Sequence, residues 1–339
     1  MKTTNGTAPL LMEPETARYT KDQLAEAHTF DREQMAAAVG MYYGIQKLRV
    51  GARNKESAHE RSTDILADPV LITEMKQRLE RLERESARVL REFAQARPLG
   101  RWAMSIAGVD AVIAAGLLAH IDVARAQTAG AIWRFAGLLD PKLQPWERGQ
   151  KRPWNARLKT LCYKLGESFK KLTVSETSLN GDDDVIAEKV LKEHADKGIE
   201  LSGTELLTKV KAKRARAQKR ASSLQNDNYL YVRLYSERKQ RETQRNDAGL
   251  FREQALGRLE LAKRKGLAIS PDQKKLWADG RLQPVGVDRR AARYAVTIFL
   301  SHYHQIGREI LGLPMPKPWV LEHGGHVHYI PPPCWPVSE

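Results

Sequence analysis

The sequence predicts a mainly α-helical, multi-domain fold, with a coiled-coil hairpin, a helix–hairpin–helix domain and a basic helical C-terminal region. Three observations carry this. Apolar residues recur at three- and four-residue steps, helix-start residues stand just ahead of those stretches, and no segment shows the alternation of a strand series. At 339 residues, 42% of them hydrophobic, the chain holds more apolar material than one compact helical domain uses, so two or three domains are expected.

Residues 1–18 lack periodicity and read as a loose N-terminal arm. Residues 19–100 form the helical, coiled-coil region. Thr20 is a candidate N-cap for a short helix, and Asp31 for a second that carries Met35, Val39, Tyr42, Ile45 and Leu48 at helical spacing. Asp68-Pro69 opens a long helix in which Met75, Leu79, Leu82, Val89 and Phe93 alternate steps of about four and three, with Ser86 filling one step. This seam across 70–95 serves either an antiparallel hairpin with the preceding helix or a homodimer with a second copy. Pro98 and Gly100 are expected to end it.

Residues 101–175, rich in Ala, Gly and Trp, are the expected helix–hairpin–helix domain. An acidic patch at 182–184 separates them from a basic helical domain at 185–312. That domain begins with a helix near Val185, and residues 209–220 then read KVKAKRARAQKR, seven cations without an acid. A helix with Tyr229, Tyr231 and Tyr235 follows, then a basic helix to Lys265, and Asp288 is expected to open a last helix through Ile298 and Ile306. Residues 313–339, with Pro314, Pro316, Pro318 and Pro331, must be extended.

A net charge of +15 points to a polyanion, a membrane surface or plain solubility, and nucleic acid leads. A membrane partner is not expected, because the longest apolar stretch, 111–121, is broken by Gly116 and His120 and falls short of the roughly 20 residues that span a bilayer. The polar start with Glu13 and Glu15 lacks the apolar core of a secretory signal, and two distant cysteines, Cys162 and Cys334, fit a reducing, cytoplasmic location.

The most informative segment, at 104–121, reads MSIAGVDAVIAAGLLAHI. One helix ends near Ile106, Gly108 permits a tight turn, and an Ala-rich helix follows. In such a hairpin the amides around Gly108 and Val109 face a phosphate at the positive end of the second helix. Asp110 stands where a second glycine is usual; it can cap the helix, although its charge opposes a phosphate. The alternative is an ordinary core helix behind a glycine turn.

Together with residues 129–141, AGAIWRFAGLLDP, this hairpin resembles the C-terminal domain of the insertion-sequence 110/116/902 transposases, over roughly residues 70–170. The resemblance implies DNA binding and a mobile-element ancestry, and the related enzymes use a structured guide RNA. Two parts of the family pattern are absent from the sequence: the N-terminal RuvC-like domain with its four metal-binding acids, and the nucleophilic serine after the Ala-Gly-Leu segment. Residues 142–152 read KLQPWERGQKR instead, and Ser168 is the next serine. No catalytic residue and no cofactor is therefore assigned.

Arg148, Lys151, Arg152, Arg157, Lys159 and Lys164, with Trp154 among them, suit phosphate contacts, or a solvated helix face. Lys209, Lys211, Lys213, Arg214, Arg216, Lys219 and Arg220 repel one another unless a polyanion lies alongside, and DNA and RNA serve equally on charge. In the tail, His326, His328 and Cys334 are candidate zinc ligands, against a reading in which the histidines pack on Trp319, Tyr329 and Trp335. His302 and His304 project about 200° apart on a helix and cannot share a metal. The expected function is DNA binding by a protein related to a transposase, with an RNA partner conceivable. The rivals are an active recombinase with an unidentified nucleophile, a non-catalytic accessory or structural protein of a phage or plasmid, and a metal-dependent enzyme using the terminal histidines.

Overall fold

A computed structural model describes residues 18–59, 69–139, 143–196, 198–315 and 329–336, and every regular element among them is helical. Among the described residues no helix is long and apolar enough to cross a membrane. The chain divides into two compact units, residues 1–97 and 98–339.

The first unit starts with α1 (Lys21–Ala25), closed by a capping box in which the Thr20 hydroxyl accepts from the Gln23 amide at 3.2 Å and the Gln23 side chain accepts from the Thr20 amide at 2.9 Å. Asp31 likewise accepts from the Gln34 amide, 2.8 Å, ahead of α2 (Arg32–His59). Helix α3 (Pro69–Gln95) folds back along α2, since Glu56 meets Lys76 at 2.6 Å while Arg49 meets Glu83. The seam thus closes within one chain as an antiparallel hairpin.

Its register differs from the expected one. The residues turned toward α2 are Ile72, Lys76, Leu79, Glu83, Ser86, Leu90 and Phe93, an unbroken heptad series, whereas Met75 and Leu82 remain 51% and 50% exposed. An apolar count passes over Lys76 and Glu83, yet each is bound across the seam: Lys76 by Glu56, and Glu83 by Arg49, Gln46 and Tyr42. At the end of α3 the Arg97 guanidinium lies 3.6 Å from the Phe93 ring centroid and donates to the Phe93 and Phe30 carbonyls, 2.9 Å each. Pro98 opens the next helix instead of merely ending this one, and Gly100 lies inside that helix.

The second unit comprises α4 (Pro98–Ser105), α5 (Ala111–His120), α6 (Ala129–Phe135), α7 (Ala156–Lys171), α8 (Glu176–Asn180), α9 (Asp183–Ala195), α10 (Gly203–Ser223), α11 (Leu230–Asp247), α12 (Arg252–Arg264), α13 (Pro271–Ala278) and α14 (Pro284–Ile310). Helix α14 is the axis: α4, α6, α7 and α11 pack on it. Trp102 stacks on Phe299 at 5.4 Å and Phe169 on Tyr231 at 5.5 Å, all four fully buried. Segments expected in separate domains therefore share one core. Two small satellites adjoin it, Ile186, Val190 and Val210 between α9 and α10, and Phe251, Ala255 and Leu282 with Trp277 around α12 and α13.

Helix α14 begins at Pro284, so Asp288 is an interior residue and not its start. There it receives Lys170 at 2.6 Å, Lys239 at 2.9 Å and the Tyr235 hydroxyl at 3.1 Å. Glu242, fully buried, receives Arg238 at 2.6 Å, Arg290 at 2.7 Å and Arg245 at 3.5 Å. The end of the chain has no helix where described but is not uniformly extended, since it turns at Pro333 and Cys334, the latter at φ +56°; the Trp102 indole donates to the Pro333 carbonyl at 2.8 Å, and the His302 ring bonds the Ile330 carbonyl at 2.9 Å.

Candidate nucleic-acid interface

The hairpin forms as the sequence suggests, but its turn faces inward. Gly108 takes φ +93°, and Asp110 caps α5 by accepting from the Ile113 amide at 2.8 Å. The Ala107 amide donates to the Asn228 carbonyl and the Val109 amide to Ile106, both at 3.0 Å, while Val109 is buried. A Cβ at Gly108 would lie 3.2 Å from Leu172, Phe169 and Ser168. Nearly all of α5 is buried. The expected phosphate role of Val109 is therefore corrected: its amide is consumed within the turn, and the hairpin packs α5 against α7.

The open chemistry lies in the connection from α6 to α7. Gln144 donates to the Arg134 and Pro153 carbonyls at 3.1 and 3.2 Å, and the Asn155 amide donates to Phe135 at 2.8 Å, folding residues 143–155 back on α6. Gly137, at φ +65°, admits the Trp154 ring, which a Cβ there would meet at 2.8 Å. Trp146 and Trp154 meet edge to face, centroids 5.7 Å apart. Arg152 lies 5.6 Å from the Trp146 centroid and Lys159 3.9 Å from that of Trp154. Arg148, Lys151 and Arg157 are exposed around this bracket.

Burial, then the positive charges of Arg293 and Arg152, hold the Lys159 ammonium below its ordinary pKa. Among the described residues no carboxylate pairs with Arg152 or Lys159. Comparison with protein-family models, curated proteins and solved structures gives no match. Arg293, 134 residues after Lys159 in sequence, was missed because only the packing of α7 on α14 brings it there.

The basic run on α10 looks different once folded. Val210 and Ala217 are buried, Lys213 pairs with Glu193 at 2.7 Å, Arg214 pairs with Asp183 at 2.8 Å, and Arg220 donates to the Lys171 carbonyl at 3.2 Å. Mutual repulsion is thus relieved partly by acids of α9, which corrects the argument that only an external polyanion offsets it. Lys209, Lys211, Arg216 and Lys219 stay exposed.

The candidate nucleophiles are committed elsewhere. The Ser168 hydroxyl donates to the Gly108 carbonyl at 2.6 Å. Burial pushes the Cys162 thiol up to about 12 and raises that of Cys334, whose side chain bonds Ser105. Among the described residues no three His, Cys, Asp or Glu side chains gather as metal ligands; His326 and His328 lie outside those residues. His302 and His304 do diverge, the first bonding Tyr231 at 2.7 Å and the second the Ala126 carbonyl at 2.8 Å.

Proposed function

We propose that the protein binds the nucleic-acid backbone, duplex DNA foremost and structured RNA as a second ligand, through residues 143–155 and the start of α7. The exposed cations of α10 add sequence-independent attraction. The observation that carries this reading is the pair Arg152 and Lys159, placed over joined tryptophans with no carboxylate among the described residues paired to them. Exposed cations set against tryptophan rings present positive charge to solvent, and phosphate carries the complementary charge. Kinship with the 110/116/902 transposases belongs to this proposal, resting on residues 104–121 and 129–141. A binding or accessory role is favoured over recombination because Ser168 is spent on the Gly108 carbonyl.

The test is a salt titration of binding to two unrelated duplexes. Arg152→Gln with Lys159→Gln should weaken both complexes and flatten the log–log salt slope by about 1.8, since each lost phosphate contact removes about 0.9. A folded double variant that keeps the wild-type slope would refute the site.

A further inference from the structure

Helix α14 sends neighbouring arginines to different places. Arg290 is tied to Glu242 at 2.7 Å and covers the Phe251 ring at 4.4 Å. Arg289 and Arg293, four residues apart and about 6 Å along the axis, share one face, and both are exposed. Arg293 adjoins Lys159 of α7. Arg289 adjoins Arg258 of α12, whose Nη1 lies 3.5 Å from where a Cβ on Gly286 would stand.

Burial, then Arg289 and Arg290, hold the Arg258 guanidinium below its ordinary pKa. No carboxylate among the described residues pairs with Arg258 or Arg289, although Glu242 sits one residue along α14 from Arg289, on Arg290. A half-buried guanidinium crowded by two others costs free energy that an anion would recover. The cations also form a succession, Arg258, Arg289, Arg293, Lys159, Arg152, across α12, α14, α7 and the loop before it. A row of cations that runs along one face of α14 and on to its neighbouring helices suits a repeating anion better than a single small one.

We propose that Arg258, Arg289 and Arg293 extend the Arg152–Lys159 bracket into one ridge that follows a phosphodiester backbone, with Arg258 and Arg289 holding one phosphate between α12 and α14. This rests on the nucleic-acid reading above and adds residues that no motif announces.

The experiment compares four full-length proteins on one duplex of DNA and one of RNA across a salt series: wild type, Arg289→Gln, Arg258→Gln with Arg289→Gln, and a control with Arg53→Gln and Arg84→Gln in the first unit. The single variant changes an exposed side chain, so it remains informative if the double variant fails to fold. Because the two residues share one phosphate, slopes are expected to be flatter by up to about 0.9 in both the single and the double variant, with affinity lowered roughly tenfold or more and further in the double, and an unchanged slope for the control. The duplex that shows the loss identifies the backbone followed. If wild type binds and Arg289→Gln keeps its slope, or if the charge-matched control flattens it equally, the ridge is overturned while the bracket stands. If wild type binds neither duplex, both readings fall together.

Discussion

Gly108 shows how a residue's conformation can be read from sequence while its surroundings stay hidden. Its positive φ was legible, because a glycine between two helical patterns has few other uses. What it faces was not: Leu172, Phe169 and Ser168 arrive from a helix some sixty residues later. Gly108→Val should therefore act on stability. A side chain in the left-handed region costs about 1–2 kcal/mol, and contacts at 3.2 Å add to it. Urea unfolding should show a loss of about 2 kcal/mol or more, with the salt slope of the folded fraction unchanged. A variant of native stability with weakened binding would return the phosphate role to the turn.

At the scale of elements, helix starts were the most readable feature. Thr20, Asp31 and Asp110 all cap as their side chains suggest, because capping is decided within four residues. Register was less readable. The α2–α3 seam admits Lys76 and Glu83, and only knowledge of Glu56 and Arg49 on the opposing helix makes those charges acceptable there. Helix α13 escaped notice for want of an apolar stripe, and the start of α14 was misplaced because Asp288 resembles a cap while serving two lysines from α7 and α11. The outward face of α3 keeps Leu71 54%, Met75 51% and Leu82 50% exposed, at spacings that return to one side of a helix. We propose that a second copy covers this stripe, a face of α3 other than the seam that closes on α2. Sedimentation of wild type should show a dimer that Met75→Lys with Leu82→Lys converts to monomer without loss of helicity. A wild type that stays monomeric throughout the concentration range would exclude it.

The whole molecule should respond to acid before its carboxylates titrate. Burial holds His302 at about 4, even though the Ile330 carbonyl favours its protonated form, and burial also lowers His304. The unfolded chain takes up these protons near pH 6.5 and the folded chain does not. Stability is therefore complete above pH 6.5 and falls as pH drops toward 4, by roughly 3 kcal/mol for His302 alone. Burial pushes Asp288 upward, but Lys170, Lys239 and Tyr235 outweigh it and leave its carboxyl below the usual range. Its contribution is present above the ordinary carboxylate pKa and disappears as pH falls through the lowered value, so its loss comes later in the descent. Urea midpoints measured from pH 7 to pH 4 should decline in wild type and decline less in His302→Gln. A flat wild-type profile over that range would contradict this account.

Arg289 and Arg290 are adjacent in the chain, yet a helix turns about 100° between them, which is enough to give them different obligations. Arg290 answers to the interior, where Glu242 cannot be left without cations. Arg289 is exposed and pairs with no carboxylate among the described residues. Under the ridge proposed above, substitution of Arg289 alters anion binding, while substitution of Arg290 is restrained by folding whatever binds outside. The basic character of α14 thus has two separate origins on one helix, one set by the interior and one by the surface.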